Sequence, residues 1–144
     1  MECSLPAYNS NDAEILKLLK ESKNIAVVGL SPDSSKPSHR VASYLQSKGY
    51  KIFPIYPKES EILGEKVYRK LEDIEEEIDI VNLFRKPEVA SEVVKKMKTI
   101  KNIKAIWLQL GITNNEAAKD ARDFGFEVVQ NKCIMIEHRK LFND

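Results

Sequence analysis

Short apolar runs at residues 25–30, 50–56, 78–84, 103–108 and 126–129 recur along this 144-residue chain, with helical patterns between them. Runs of this length read as strands covered on both faces. An Asn11-x-x-Glu14 capping box opens a helix over about 11–22, with Ile15, Leu16, Leu18 and Leu19 at helical intervals. Pro37 suits a first helical turn, where its missing N–H does no harm, and Val41, Tyr44 and Leu45 mark the buried stripe behind it. After Pro87 the stripe is Val89, Ala90, Val93, Val94, Met97 and Ile100. After a second capping box, Thr113-x-x-Glu116, it is Ala117, Ala121 and Phe124. Gly49 and Gly125 stand where left-handed helix stops belong. Strands alternating with helices require right-handed crossovers. They predict a doubly wound, Rossmann-like α/β fold, a mainly parallel sheet with helices on both faces.

Some stretches carry less pattern. Pro54 would cost a ladder bond in a central strand, so the second strand should be unpaired on one side at that point. Between 58 and 77, Gly64 suits a turn, Val67-Tyr68 a very short strand, and 71–77 a helical turn or two. Residues 1–10 read as a tail or an edge arm and 130–144 as a C-terminal extension, so 1–144 is expected to be a single domain.

Composition narrows the function classes. The net charge is +1, which supplies no global field for nucleic acid, so any anion site must be local. Cys3 and Cys133 lie far apart without zinc spacing, and a reduced cytoplasmic setting is the simplest expectation. No apolar run reaches the roughly 20 residues of a membrane span, so no membrane partner is expected. A protein partner or homo-oligomer is not readable.

In a doubly wound sheet, ligands bind beyond the carboxyl ends of the strands, at the point where strand order reverses. The first such end is Val28-Gly29-Leu30-Ser31, leading through Ser35 to Lys36-Pro37-Ser38 and a helix start, which offers free N–H groups and a positive dipole to an anion. The serines serve equally well as turn and cap formers. The GxGxxG fingerprint is absent. At the end of the second strand, where NAD needs a carboxylate for its ribose, stand Tyr56-Pro57-Lys58. This disfavours NAD and leaves NADP or coenzyme A, whose ribose phosphates an ammonium could meet. Phe84-Arg85-Lys86 adds two cations at the same sheet edge, opposing a helix dipole unless an anion compensates them.

Taken in order, these pieces, with Trp107-x-Gln109-Leu110-Gly111 and Val128-Val129-x-Asn131-x-Cys133, resemble the small stand-alone CoA-binding domain family. That family is akin to the N-terminal nucleotide-binding domain of the succinyl-CoA synthetase α subunit, and the similarity runs from about Ile15 to Glu137. The resemblance implies a coenzyme A or acyl-CoA ligand. It implies Gly29, Leu30, Ser31, Ser35, Lys36, Pro37 and Ser38 around the phosphates, and Tyr56, Pro57 and Lys58 near the ribose phosphate or adenine. Phe84, Arg85, Leu108, Gln109, Leu110 and Gly111 would line the cleft toward the pantetheine arm. The synthetase's phosphorylated histidine belongs to another domain, and His39 and His138 match no catalytic position.

No metal-ligand spacing or catalytic constellation is readable, so the expectation is binding rather than catalysis. A small NADP-linked oxidoreductase and a ligand-free regulatory or interaction module are the alternatives. The acidic run Glu72-Asp73-x-Glu75-Glu76-Glu77 reads as a solvated face, and Trp107 as core. Cys133, after the last strand, is either a buried inert cysteine or a thiol within reach of the pantetheine end.

Overall fold

A computed structural model describes residues 8–142. Main-sheet strands β1 (Asn24–Val28), β2 (Lys51–Ile55), β5 (Ile80–Leu83), β6 (Ala105–Leu108) and β7 (Glu127–Val129) pair in parallel in the order β2-β1-β5-β6-β7. Two-residue strands β3 (Glu61–Ile62) and β4 (Glu65–Lys66) form a separate antiparallel hairpin. Helices α1 (Asp12–Glu21), α2 (Pro37–Ser47) and α5 (Ile134–Phe142) cover one face; α3 (Val89–Met97) and α4 (Asn115–Phe124) cover the other. This is a doubly wound, Rossmann-like α/β fold. Strand order reverses between β1 and β5, so the switch point lies where the loops after those two strands meet.

Every residue from Ile25 to Val28 is buried, as is every residue of β5 and β6, which is why these runs read as continuous apolar segments. Alternate residues feed different cores. Ala26, Val81 and Ile106 face α3 and α4, whereas Ile25, Ile80 and Trp107 face α1, α2 and α5. β2 is an edge strand, as Pro54 requires. Its outer side carries an isolated bridge to Tyr68, whose N–H donates to the Pro54 carbonyl oxygen (2.8 Å) and whose carbonyl accepts from Tyr56 N–H (3.0 Å). At the opposite edge, Tyr8–Ser10 forms an arm along β7. Ser10 N–H donates to Val128 O at 2.8 Å, and Asn9 exchanges two hydrogen bonds with the Gln130 backbone.

Several local expectations need correction. α4 is capped by Asn114, whose side chain accepts from Ala117 N–H at 3.0 Å, so Thr113 is not the N-cap. Phe124 points outward, 54% exposed, and packs at a tilt against Phe126 instead of entering the core. Residues 71–77 supply only a 3-10 turn, Leu71–Asp73. The segment after Gln130 is no appendage: α5 packs on α1 and α2, with Ile134 fully buried and His138 set among Tyr44, Tyr50 and Phe142. Cys3 lies outside the described residues.

Candidate functional site

The loop after β1 is shaped by Gly29. Its φ of +88° is one that side chains rarely adopt, and a Cβ there would sit 2.7 Å from the Phe84 carbonyl oxygen and 2.8 Å from Arg85 Cδ. The glycine thus lets the loop after β5 cross directly over the loop after β1. Leu30 is fully buried and anchors that loop in the core. The serines are partly committed to the loop itself. Ser31 N–H donates to Ser38 Oγ (3.0 Å), Asp33 N–H donates to Ser31 Oγ (3.1 Å), and Ser35 Oγ donates to Asp33 Oδ1 (2.7 Å). Ser31 and Ser38, used there as acceptors, keep their hydroxyl protons for another partner.

Lys36 is the N-cap of α2 and makes no side-chain cap bond; Pro37 is the first helical residue. A helix of 11 residues therefore begins without a side-chain oxygen on its first N–H groups. Asp33 introduces a negative charge into this loop. Hydrogen bonds from the Ser35 backbone and hydroxyl hold its carboxyl below the usual range, so it stays ionised at neutral pH. Lys36 and His39 lie close enough to favour its charge, His39 Nδ1–H donates to Ser31 O at 2.9 Å, and Arg40 Nη1–H donates to Ser35 O at 2.5 Å.

Beyond the strand ends lies a cleft of about 580 Å³. Pro37, Arg40 and Val41 of α2 form one wall, and Phe84, Arg85 and Lys86 a second. Gln109, Leu110 and Ile112 follow β6, and Cys133, Met135 and Ile136 sit at the start of α5. Gln109 is only 7% exposed, and its Oε1 has no hydrogen-bond partner among the described residues. Asn82, in the middle of β5 on the same sheet face, is fully buried with both amide atoms in the same condition. Such groups carry a desolvation cost until something pairs with them.

The loop after β6 is stiff. Ile112 N–H donates to Gln109 O (2.9 Å), closing a turn with Gly111 at φ +89°. Asn131 Oδ1 accepts from Gly111 N–H at 2.7 Å, and Asn131 N–H donates to Ile112 O at 3.2 Å. Gly111 and Asn131, 20 residues apart, thus brace each other. Trp107 is core: fully buried, with Nε1–H donating to Lys132 O (2.9 Å).

Of the residues singled out from sequence, Pro37, Phe84, Arg85, Gln109, Leu110 and Cys133 line this cleft together. Leu108 does not, because the period of two turns it toward α3 and α4. Gly29, Leu30, Ser31, Ser35, Lys36, Ser38 and Gly111 shape the neighbouring loops without lining it. Tyr56, Pro57 and Lys58 lie at the β2 edge. There Arg69 Nη1–H donates to the Tyr56 and Lys58 carbonyls at 3.0 and 3.1 Å. Arg69 also borders a second cavity of about 300 Å³, on the opposite sheet face, walled by Val28, Ile55, Leu71 and Val93. Sequence reasoning missed that cavity, and it missed Arg40, Ile112, Met135 and Ile136 in the main cleft. The neglected signal was Ile134, His138 and Leu141 at helical spacing. Among the described residues no group of three or more His, Cys, Asp or Glu side chains could hold a metal, and no helix is long and apolar enough to cross a membrane.

Comparison with known proteins fits this geometry. An uncharacterised protein of Bacillus subtilis, YneT, is 38% identical over 130 residues, covering 90% of this chain and 96% of YneT. The ADP-forming acetate–CoA ligase of Methanocaldococcus jannaschii is 29% identical over 128 residues; the match takes in 84% of this chain but only 18% of the ligase. A hypothetical protein from Pyrococcus horikoshii OT3 superposes with a TM-score of 0.89 at 37% identity, covering 99% of each chain. Residues 23–139 match the family described as the CoA binding domain, and the chain belongs to that family.

Proposed function

We propose that this protein binds coenzyme A, or an acyl-CoA, across the switch point between β1 and β5. The observation that carries the reading is the buried Gln109 amide, its oxygen unpartnered among the described residues, in an apolar cleft edged by Arg40, Arg85 and Lys86. The pantetheine arm carries amide N–H groups that such an oxygen can accept, and the diphosphate matches the cations and the α2 N-terminus. The ribose phosphate then falls toward Lys58, and the cavity beside Arg69, with its aliphatic walls, suits the adenine. In this arrangement Cys133 flanks the thiol end. The role is one of binding; no residue here is assigned to catalysis.

Calorimetric titration with coenzyme A, its 3′-dephospho form, NADPH and NADH tests the reading. Coenzyme A should bind more tightly than the dephospho form, and that difference should shrink in Lys58→Ala. Gln109→Leu should weaken coenzyme A binding by about three- to tenfold, the worth of one buried hydrogen bond. Tighter binding of NADPH, or no binding of any of the four, overturns it.

A further inference from the structure

The main cleft is chemically lopsided. Arg40, Arg85 and Lys86 stand on the α2 and β5 sides, whereas the β6 and α5 side offers Leu110, Ile112, Met135 and Ile136. Among the described residues the large hydrophobic side chains that are markedly exposed are Leu110 (60%), Ile136 (49%) and Phe124. Phe124 packs on Phe126 at the end of α4; the other two border this one cleft. Their exposure is enforced. Leu110 occupies the second position of the Gln109–Ile112 turn, which Gly111 permits by its positive φ and the Asn131 side chain braces. Ile136 is fixed by its place in α5, between Met135 and the buried Glu137. A fold that spends a glycine and a side-chain brace on holding a leucine in water is presenting that leucine to something.

We infer that this apolar end receives the aliphatic chain of an acyl-CoA, so that the preferred ligand is a thioester and not free coenzyme A. The inference rests on the coenzyme A reading. The occupant follows from continuity: one cleft joins three cations to an aliphatic end, and its lining includes Gln109, whose amide oxygen is unpartnered among the described residues. A ligand matching that lining has an anionic head, an amide-bearing arm and an apolar tail.

A full methylene burial is worth a factor of about four in affinity, and half-burial in an open groove a factor of about two. Acetyl-, butanoyl-, hexanoyl- and octanoyl-CoA should therefore bind progressively more tightly, gaining about sixteenfold from acetyl to hexanoyl in calorimetric titrations alongside free coenzyme A. The gain per carbon should fall toward zero in Leu110→Ser and Ile136→Ser. The slope is the readout, because a general loss of affinity for the coenzyme A moiety moves all four ligands together. Coenzyme A binding with a flat series overturns this inference and leaves the coenzyme A reading standing; no binding of any member overturns both. A slope that survives in both variants also overturns it. So does a flat series in a protein that sediments as a dimer and becomes monomeric in Ile136→Ser, since the apolar pair is then an interface between copies.

Discussion

Tyr50 shows how one side chain ties the sheet to its covering helices. It is 8% exposed, and its hydroxyl donates to the Leu19 carbonyl at 2.6 Å, joining the start of β2 to the end of α1. Burial, with a smaller contribution from Tyr44, pushes its ionisation up from the ordinary 10.0 to about 12. The folded state therefore holds this proton more tightly than the unfolded chain. The stabilisation is complete below pH 10 and is lost as pH rises toward 12. In urea titrations at successive pH values, Tyr50→Phe should cost about 1 kcal/mol at pH 8 and flatten the decline above pH 10 relative to the parent protein. An identical decline in both would assign the pH dependence to other groups. At the same scale, Gln109 and Leu108 show a limit of sequence reading. Both stand at the end of a strand in a motif, but only the pleat decides which of the two enters the cleft, and the register of β6 is set by partners far away in sequence.

Elements that bury both faces were legible because they are apolar on both, Asn82 of β5 excepted: β1, β5 and β6 need no register to be recognised. α5 was obscure for the opposite reason. Its Glu137 and His138 are buried while Ile136 is half-exposed, so its polarity runs against its environment and a search for an amphipathic stripe loses it. The β3–β4 hairpin is too short to show any period; it rests on Leu63 and Gly64, both at positive φ. The N-terminal arm is a different kind of element, held by polar groups along an edge. Gln130 is fully buried, and its side chain donates to Tyr8 O (3.0 Å) while its backbone is clasped by Asn9. Deleting residues 1–9 should lower stability by about 1–3 kcal/mol, the sum of a few modest hydrogen bonds and one buried amide left short of a partner. It should also uncover the β7 edge to pairing with a second molecule. Urea midpoints and light scattering check both; an unchanged midpoint without scattering would show the arm to be dispensable.

For the whole molecule, the layered α/β arrangement followed from the alternation of strands and helices, which also directed attention to the carboxyl ends of the strands. The strand order, and with it the switch point between β1 and β5, came from the structure. What could not be read was the lateral assembly of that end: that Gly111 and Asn131 brace each other, that α5 closes one wall, and that a second cavity opens beyond β2. The first two depend on contacts between segments 20 and 94 residues apart. The crossing at Gly29 has a further consequence, for how such a sequence can drift. A Cβ there would strike a side chain, Arg85, but also the Phe84 carbonyl oxygen at 2.7 Å, which every residue type at position 84 carries. Trimming Arg85 therefore cannot compensate. Gly29→Ala should destabilise the fold by about 2 kcal/mol or more, and Gly29→Ala with Arg85→Ala should recover little of that loss in thermal or urea unfolding. The position is closed to substitution from one side only. The crossing touches only the backbone of residue 84, so it leaves the side chain there to the demands of the cleft and the core, while the first turn stays fixed.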